Sequence, residues 1–569
     1  MKPTIKRTAS IILSAIMLCS AAACSSGGNS SSKASGSEPE PTAADFTEID
    51  ASKLPKKVDL RNFNGKNYVT PVKGQLFGDC WTFAMAGAAE TAYLFANDMG
   101  VPAGEVNDKV NFSEKFITWY VFHGITKDDV AKGRIRASQV GEGFDISEPE
   151  MTNPLTAYII GGECVGHSSL FSTGLGPVDE SVTVKGENPY SYDDIWEGEW
   201  TLPLNAEYRN AAVSAFLRNS VILPNPANRD SDGNYSLNEE GLNAVKNELN
   251  QGHGLVLGLR SNHTGFNKKN KAAYDSGNEN ADHAVLVVGY DDSYSKDKFT
   301  MKDASGNVIE GTTPPADGAF IIKNSWGLMN LNNDTDDGFL YLSYYDRSLT
   351  PPMSFTFDGE SKHKTVNFDQ YDLMMTQWYG STDYESETKT ANVFDAEEDE
   401  SLIQIAYRTG KPRTEVSYEI YKDIEDGDPT SGTLFEKGVN RHTNEGFYKI
   451  DLREEYELKK GDKYSVVLTM KRETGKDGAM TYTEVYPYST EFYEGMKVKA
   501  VVNEGESLVY SDGKWSDMTS VKDSLTDRAL KQAKDELGSR NMTAKVNLES
   551  KEAFAVDNYP IKAILAPAE

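Results

Sequence analysis

Residues 69–97 read VTPVKGQLFGDCWTFAMAGAAETAYLFAN. From Cys80 to about Asn97 the stretch is rich in Ala and carries apolar residues at helical spacing, with Gly100 just beyond as a stop. Gly78-Asp79 forms a turn, so Cys80 falls where the turn meets the start of the helix. A helix N-terminus carries partial positive charge and N–H groups without intrahelical partners. Both favour a thiolate at Cys80 and a place for an oxyanion beside it. Gln75, five residues upstream, brings a side-chain amide as a second donor. Taken alone, a Cys at a helix start is more often a buried apolar residue than a nucleophile.

Two further segments supply what such a nucleophile needs. His283 stands at the mouth of a continuous apolar run, Ala284 to Val288, which ends at Gly289 and reads as a buried strand. Asn324 follows another strand, Ala319 to Ile322, within Lys323-Asn324-Ser325-Trp326-Gly327. Its side-chain carbonyl can accept from an imidazole and set the tautomer, and Trp326 can shield that bond from water. Each residue also has an ordinary reading, as a structural His or a turn Asn. Around them, Phe112 to Phe122 reads as a helix opening with Ser113, and Glu239 to Leu249 as another. Leu255 to Leu259 and Phe339 to Tyr344 read as strands.

The three segments together resemble the papain-like cysteine peptidases. LPKKVDLR (54–61) and VTPVKGQLFGDCWTFA (69–84) resemble the start of a mature member. ADHAVLVVGYDD (281–292) resembles the family's histidine strand, and FIIKNSWG (320–327) its asparagine segment. The resemblance implies an α+β fold of two lobes, with the Cys on the helical lobe and the His and Asn on the β lobe. It implies Gln75 as oxyanion donor, Cys80 as nucleophile, His283 as base and then acid, and Asn324 as orienter. Gly161-Gly162 would be the glycine pair that meets substrate backbone; a plain turn is the alternative. Gly176 to Glu180, Asn188-Pro189-Tyr190, NVFDAEEDESLIQIAY (392–407), GFYKIDL (446–452) and GESLVY (505–510) resemble the bacterial branch with a C-terminal lectin-like domain. The sequence departs from the pattern in four ways. The Gln-to-Cys loop is one residue short, Asp79 stands where Ser or Thr is commoner, no Cys offers the disulfide near the nucleophile, and no long prosegment precedes Leu54. A carboxylate beside the thiolate would raise its pKa.

The rest of the chain sets the frame. The 569 residues suggest two or three domains, and a net charge of −29 argues against nucleic acid or an anionic lipid surface as partner. Residues 1–23 read as an export signal, and small residues before Cys24 point to lipid attachment there, with plain secretion as the alternative. Membrane contact is then expected only through that N-terminal lipid. Residues 24–50 read as a flexible tether. The peptidase domain is expected over 51–355 and a β-sandwich over 365–569, with a helical insertion near 523–549. Its strands include Val498 to Val502. Of four cysteines only Cys80 and Cys164 fall in the globular part, so a Cys80–Cys164 bridge is the alternative to a reactive thiol. Asp230, Asp232 and Glu239 have calcium-loop spacing, but a surface loop is the better reading, as it is for Asn332 to Gly338. Neither metal nor other cofactor is expected. The partners expected are a peptide or protein substrate and a cell-surface or glycan ligand for the β domain. A vestigial peptidase acting as a surface-binding protein, or a transpeptidase, are the other functions open to this pattern.

Overall fold

The computed structural model describes residues 43–75, 77–133, 135–145, 156–159, 161–162, 164, 168–184, 203–230, 234–261, 265–327, 337–359, 363, 366–372, 378–384, 387–475, 478–493, 496–538 and 554–568. The signal, Cys24 and most of the tether lie outside these residues, as do Asp232 and 332–336. Among the described residues no helix is long and apolar enough to cross a membrane.

The first helix runs Cys80–Ala96 and is buried at every position except Tyr93, Phe95 and Ala96. A helix this largely apolar belongs inside a core. One side packs on the helix Glu114–Val121, which Ser113 caps by accepting from the Phe116 N–H at 3.0 Å. The other packs on the strand His283–Asp291. Gly87 allows that approach: a Cβ there would lie 2.9 Å from Leu286 Cδ2.

The strand His283–Asp291 is buried along all but its last residue, as expected of an interior strand paired on both edges. It runs antiparallel to Leu255–Leu259 on one edge and to Ala319–Lys323 on the other, with Lys57–Asp59 alongside its far end. Phe339–Ser343 continues the sheet beyond Ala319–Lys323. Here Gly289 is required. A Cβ would sit 2.4 Å from the Val58 carbonyl oxygen and 3.0 Å from Asp59 Cα, and main chain cannot rotate away.

The same sheet continues into the C-terminal region. Leu255–Leu259 pairs with Met353–Phe357, that with Leu217–Ile222, and that with Glu445–Leu458. Glu400–Thr409, Ile561–Pro567 and Asn367–Asp369 follow. A second antiparallel sheet, centred on Lys463–Thr474, faces this end. Leu402, Ile405 and Tyr407 from one sheet and Val416, Ile420, Val466 and Leu468 from the other close a core between them. Thr414–Lys422 alternates buried and half-buried positions, the pattern of a sandwich strand. The helix expected as an insertion begins at Met518 and is described to Gly538. The strand expected over Val498 to Val502 is instead Met496–Lys499, paired with Gly143–Asp145 of the first region.

The last residues of the expected tether lie on the β region. Thr47 N–H donates to Thr443 Oγ1 at 2.9 Å. The Phe46 ring lies beneath the guanidinium groups of Arg413 and Arg441, at 4.7 and 5.6 Å. Glu48 and Asp45 pair with the same two arginines.

Gly289→Ala is expected to lower stability by roughly 1–3 kcal/mol, because the added methyl meets backbone rather than a mobile side chain. A urea titration of the purified chain checks this; an unchanged midpoint would contradict it.

Candidate active site

Cys80 is buried, at the first position of its helix. Its Sγ lies 3.4 Å from the Ala284 N–H, which donates to it. The thiol therefore sits at the head of the strand that carries His283. His283 Nε2 and Asn324 Oδ1 are 2.8 Å apart. An amide oxygen only accepts, so Nε2 carries the proton in this pair. Asn324 Oδ1 also accepts from the Ser325 N–H at 2.8 Å, which fixes the amide's orientation. Trp326 stacks on the His283 ring, centroids 4.6 Å apart at 28°, and covers this bond from solvent as expected. Trp326 itself is 40% exposed.

Gln75 reaches the same corner despite the short loop. Its N–H donates to the Ser325 carbonyl at 2.6 Å, and its Oε1 accepts from Ser325 Oγ at 2.5 Å. Its Nε2 donates to the carbonyl of Phe77 at 2.8 Å, so one of its two amide protons is engaged within its own loop. The loop is held without a disulfide. Gly78 N–H donates to the Tyr158 carbonyl at 3.0 Å, and the rings of Phe77 and Tyr158 are 5.8 Å apart. Gly161 and Gly162 come next among the described residues after the helix Thr156–Ile159. Gly161 has φ of +80°, and a Cβ on Gly162 would fall 2.5 Å from the Trp81 ring. The glycine pair thus lies against the nucleophile's helix.

Burial raises the pKa of the Cys80 thiol to about 12, with the Ala284 N–H opposing the rise and the Asp79 carboxylate adding to it. Asp79 is itself buried, and neither carboxyl oxygen has a hydrogen-bond partner. Burial raises its pKa to about 8. Below that pH the side chain is a neutral acid, and its contribution to Cys80 disappears. The thiolate expected at the helix start is therefore not the resting form; burial outweighs the helix end. Cys164 is partly exposed, and neither it nor Cys80 is in a disulfide, so there is no Cys80–Cys164 bridge.

Sequence reasoning missed a charged cluster beneath the site. Lys73 Nζ is 2.6 Å from Glu114 and 3.3 Å from Glu90. Glu90 also accepts from Thr70 Oγ1 at 2.5 Å and from the Phe112 N–H at 2.8 Å. Lys323, next to Asn324, donates to Thr70 Oγ1 at 3.0 Å. Burial lowers the Lys323 pKa to about 8, against the pull of Glu90. Burial alone would lower Lys73 too, but Glu114 and Glu90 hold it well above the ordinary range. Lys73 and Lys323 lie within the quoted motifs, yet nothing in their spacing names Glu90 and Glu114 as partners.

Among the described residues no three His, Cys, Asp or Glu side chains converge as a metal site. The stretch with calcium-loop spacing includes a hairpin, Ala227–Arg229 with Tyr235–Leu237, in which both carboxyl oxygens of Asp230 accept from Asn234.

A family model described as a lectin-like domain matches residues 370–531. No curated protein matches the chain. The solved clostridial cysteine protease Cwp84, after propeptide cleavage, is similar with a TM-score of 0.59 at 20% identity, over 88% of this chain and 97% of that one. The cysteine protease and lectin-like domains of Cwp84, a surface layer associated protein of Clostridium difficile, give 0.60 at 19% identity, over 93% of each chain. The chain thus has the α+β fold of a papain-like peptidase joined to a lectin-like domain, as the motifs imply.

Glu90→Gln is expected to cost about 3–5 kcal/mol, since it breaks a buried ion pair and leaves Lys73 undercompensated. A loss below about 1 kcal/mol in urea unfolding would show the pair to be immaterial.

Proposed function

We propose that this chain is an extracellular cysteine endopeptidase, held at the cell surface by a lipid on Cys24. One observation carries the reading. The Nε2 of His283 is held by Asn324 at 2.8 Å while the amide of the next residue touches Cys80 Sγ at 3.4 Å. That arrangement turns Nδ1 into the nitrogen that takes the thiol proton. Sγ then attacks the scissile carbonyl, and the oxyanion is met by main-chain N–H at the helix start and by the second Nε2 proton of Gln75. The imidazolium gives its proton to the leaving amine as the C–N bond breaks. Water hydrolyses the thioester, releasing acid and restoring the thiol. Substrate backbone lies along Gly161-Gly162, where no side chain intervenes. The buried thiol is protonated at rest, so the proton passes to His283 during reaction rather than before it. The likeness to Cwp84 supports the fold of this reading, and that protein's surface-layer association supports the location.

The lectin-like domain is then a device for positioning the peptidase on a surface or glycan. A second reading, a surface-binding protein with a vestigial site, is favoured by the engagement of Gln75 Nε2 with Phe77 and by the high pKa of the thiol.

Cys80→Ala is expected to lower hydrolysis of an unfolded protein substrate at least about a thousandfold, with the circular dichroism spectrum unchanged. A retained rate would sink the peptidase reading. Asp79 adds a pH signature. Its folded pKa lies above its unfolded value, so its ionisation costs stability as pH rises from about 4 through about 8. The same negative charge disfavours thiolate formation. Asp79→Asn is expected to extend the alkaline limb of kcat/KM upward by roughly one pH unit. An unmoved limb would mean that Asp79 does not act on Cys80.

A further inference from the structure

Near its N-terminal end the chain crosses from one region to the other. Ile49 packs on the core that holds the Cys80 helix, and Asp50 caps the turn Ala51–Lys53 by accepting from the Ser52 N–H at 3.1 Å. Just upstream, Asp45 to Glu48 lie instead on the lectin-like region, against Arg413, Arg441 and Thr443. Arg413 sits in the turn between Glu400–Thr409 and Thr414–Lys422, and Thr443 in the turn between Thr433–His442 and Glu445–Leu458. The Arg413 N–H donates to the Thr443 carbonyl at 3.0 Å and joins the two turns.

The two arginines are arranged alike. Each turns its Nε toward a glutamate of the lectin-like region itself, Glu473 for Arg413 and Glu415 for Arg441. Each keeps its Nη1 for the segment: that of Arg413 donates to Glu48 at 2.7 Å, and that of Arg441 to Asp45 at 3.2 Å. Both guanidinium groups also lie over the Phe46 ring. Main chain completes the contact. Thr443 Oγ1 accepts from the Thr47 N–H at 2.9 Å and donates to the Thr47 carbonyl at 3.3 Å.

Exposed ion pairs and guanidinium–ring contacts are each weak. Here several fall on one short stretch, and Glu473 and Glu415 already hold the arginines in place, which lowers the ordering cost of closing the contact. Ile49, fixed on the adjoining core, keeps the segment at high effective concentration, so it docks in cis where a free peptide of the same sequence binds poorly.

We infer that Arg413, Arg441 and Thr443 form a binding site on the lectin-like region for a short acidic–aromatic segment, and that Asp45 to Glu48 fill it in cis as a latch across the two regions. The latch sets where the tether leaves the molecule, at the lectin-like region rather than at the peptidase region. With lipid on Cys24, a consequence that rests on the function proposed above, the lectin-like region is then the part nearest the anchor. The latch itself stands without that reading.

The test is chymotryptic cleavage after Phe46 in the full mature chain, set against a synthetic peptide of residues 43–50. Mass spectrometry maps the cut, and a control without chymotrypsin subtracts any cleavage by the chain itself. Cleavage in the chain is expected to be at least about tenfold slower than in the peptide, at every protein concentration. Asp45→Lys combined with Glu48→Lys changes two exposed side chains and leaves the fold alone. It is expected to bring the rate within about twofold of its own matching peptide. Arg413→Gln combined with Arg441→Gln is expected to act alike from the other side of the contact. A wild-type chain cut as fast as the peptide overturns the latch, and so does protection that survives the paired lysines. Protection that falls on dilution would seat the segment on a second copy and overturn docking in cis. None of these readouts uses peptidase activity or lipid, so failure here leaves the proposed function untouched.

Discussion

The contact between the helix Cys80–Ala96 and the strand His283–Asp291 holds the site together. It brings together residues about two hundred positions apart in sequence, and it works because both elements are buried along nearly their whole length. Gly87 removes the side chain that would keep them apart, so the Ala284 amide reaches the thiol. The strand's other neighbour, Ala319–Lys323, delivers Asn324 to the imidazole. Thiol, imidazole and amide are thereby set by sheet register and helix packing rather than by loops, which is how precise geometry is kept.

Burial of this kind has an electrostatic consequence. It leaves Cys80 a thiol and Asp79 a neutral acid near neutral pH. It also requires the Lys73, Glu90, Glu114 and Lys323 cluster to be closed by hydrogen bonds, since an unpaired charge there would be costly.

Much of this was legible in the sequence. The helix at Cys80, the strands at Leu255, His283 and Ala319, and the Ser113 cap follow from local pattern, and the order of the three motifs points to the fold. What was not legible depends on contacts between distant segments. Leu217–Ile222 carries Arg218, Asn219 and Ser220, so no apolar run marks it, yet it joins the two regions into one sheet. The supposed boundary near residue 355 therefore has strands paired across it. Gly143–Asp145 is three residues long and gains its identity only by pairing with Met496–Lys499. Asp79 looked like a charge beside the nucleophile; its burial, which removes that charge, is a tertiary fact. Phe46 looked like part of a tether because its two arginines lie nearly four hundred residues away.

The most direct test of a working Cys80–His283 pair is labelling of the purified mature chain with a papain-type epoxide inhibitor, followed by peptide mapping. Modification of Cys80 but not of the more exposed Cys164, abolished by His283→Ala, is the result expected of an imidazole that takes the thiol's proton. No labelling of Cys80, or equal labelling of both cysteines, would mean that the geometry at the head of the helix does not activate the thiol.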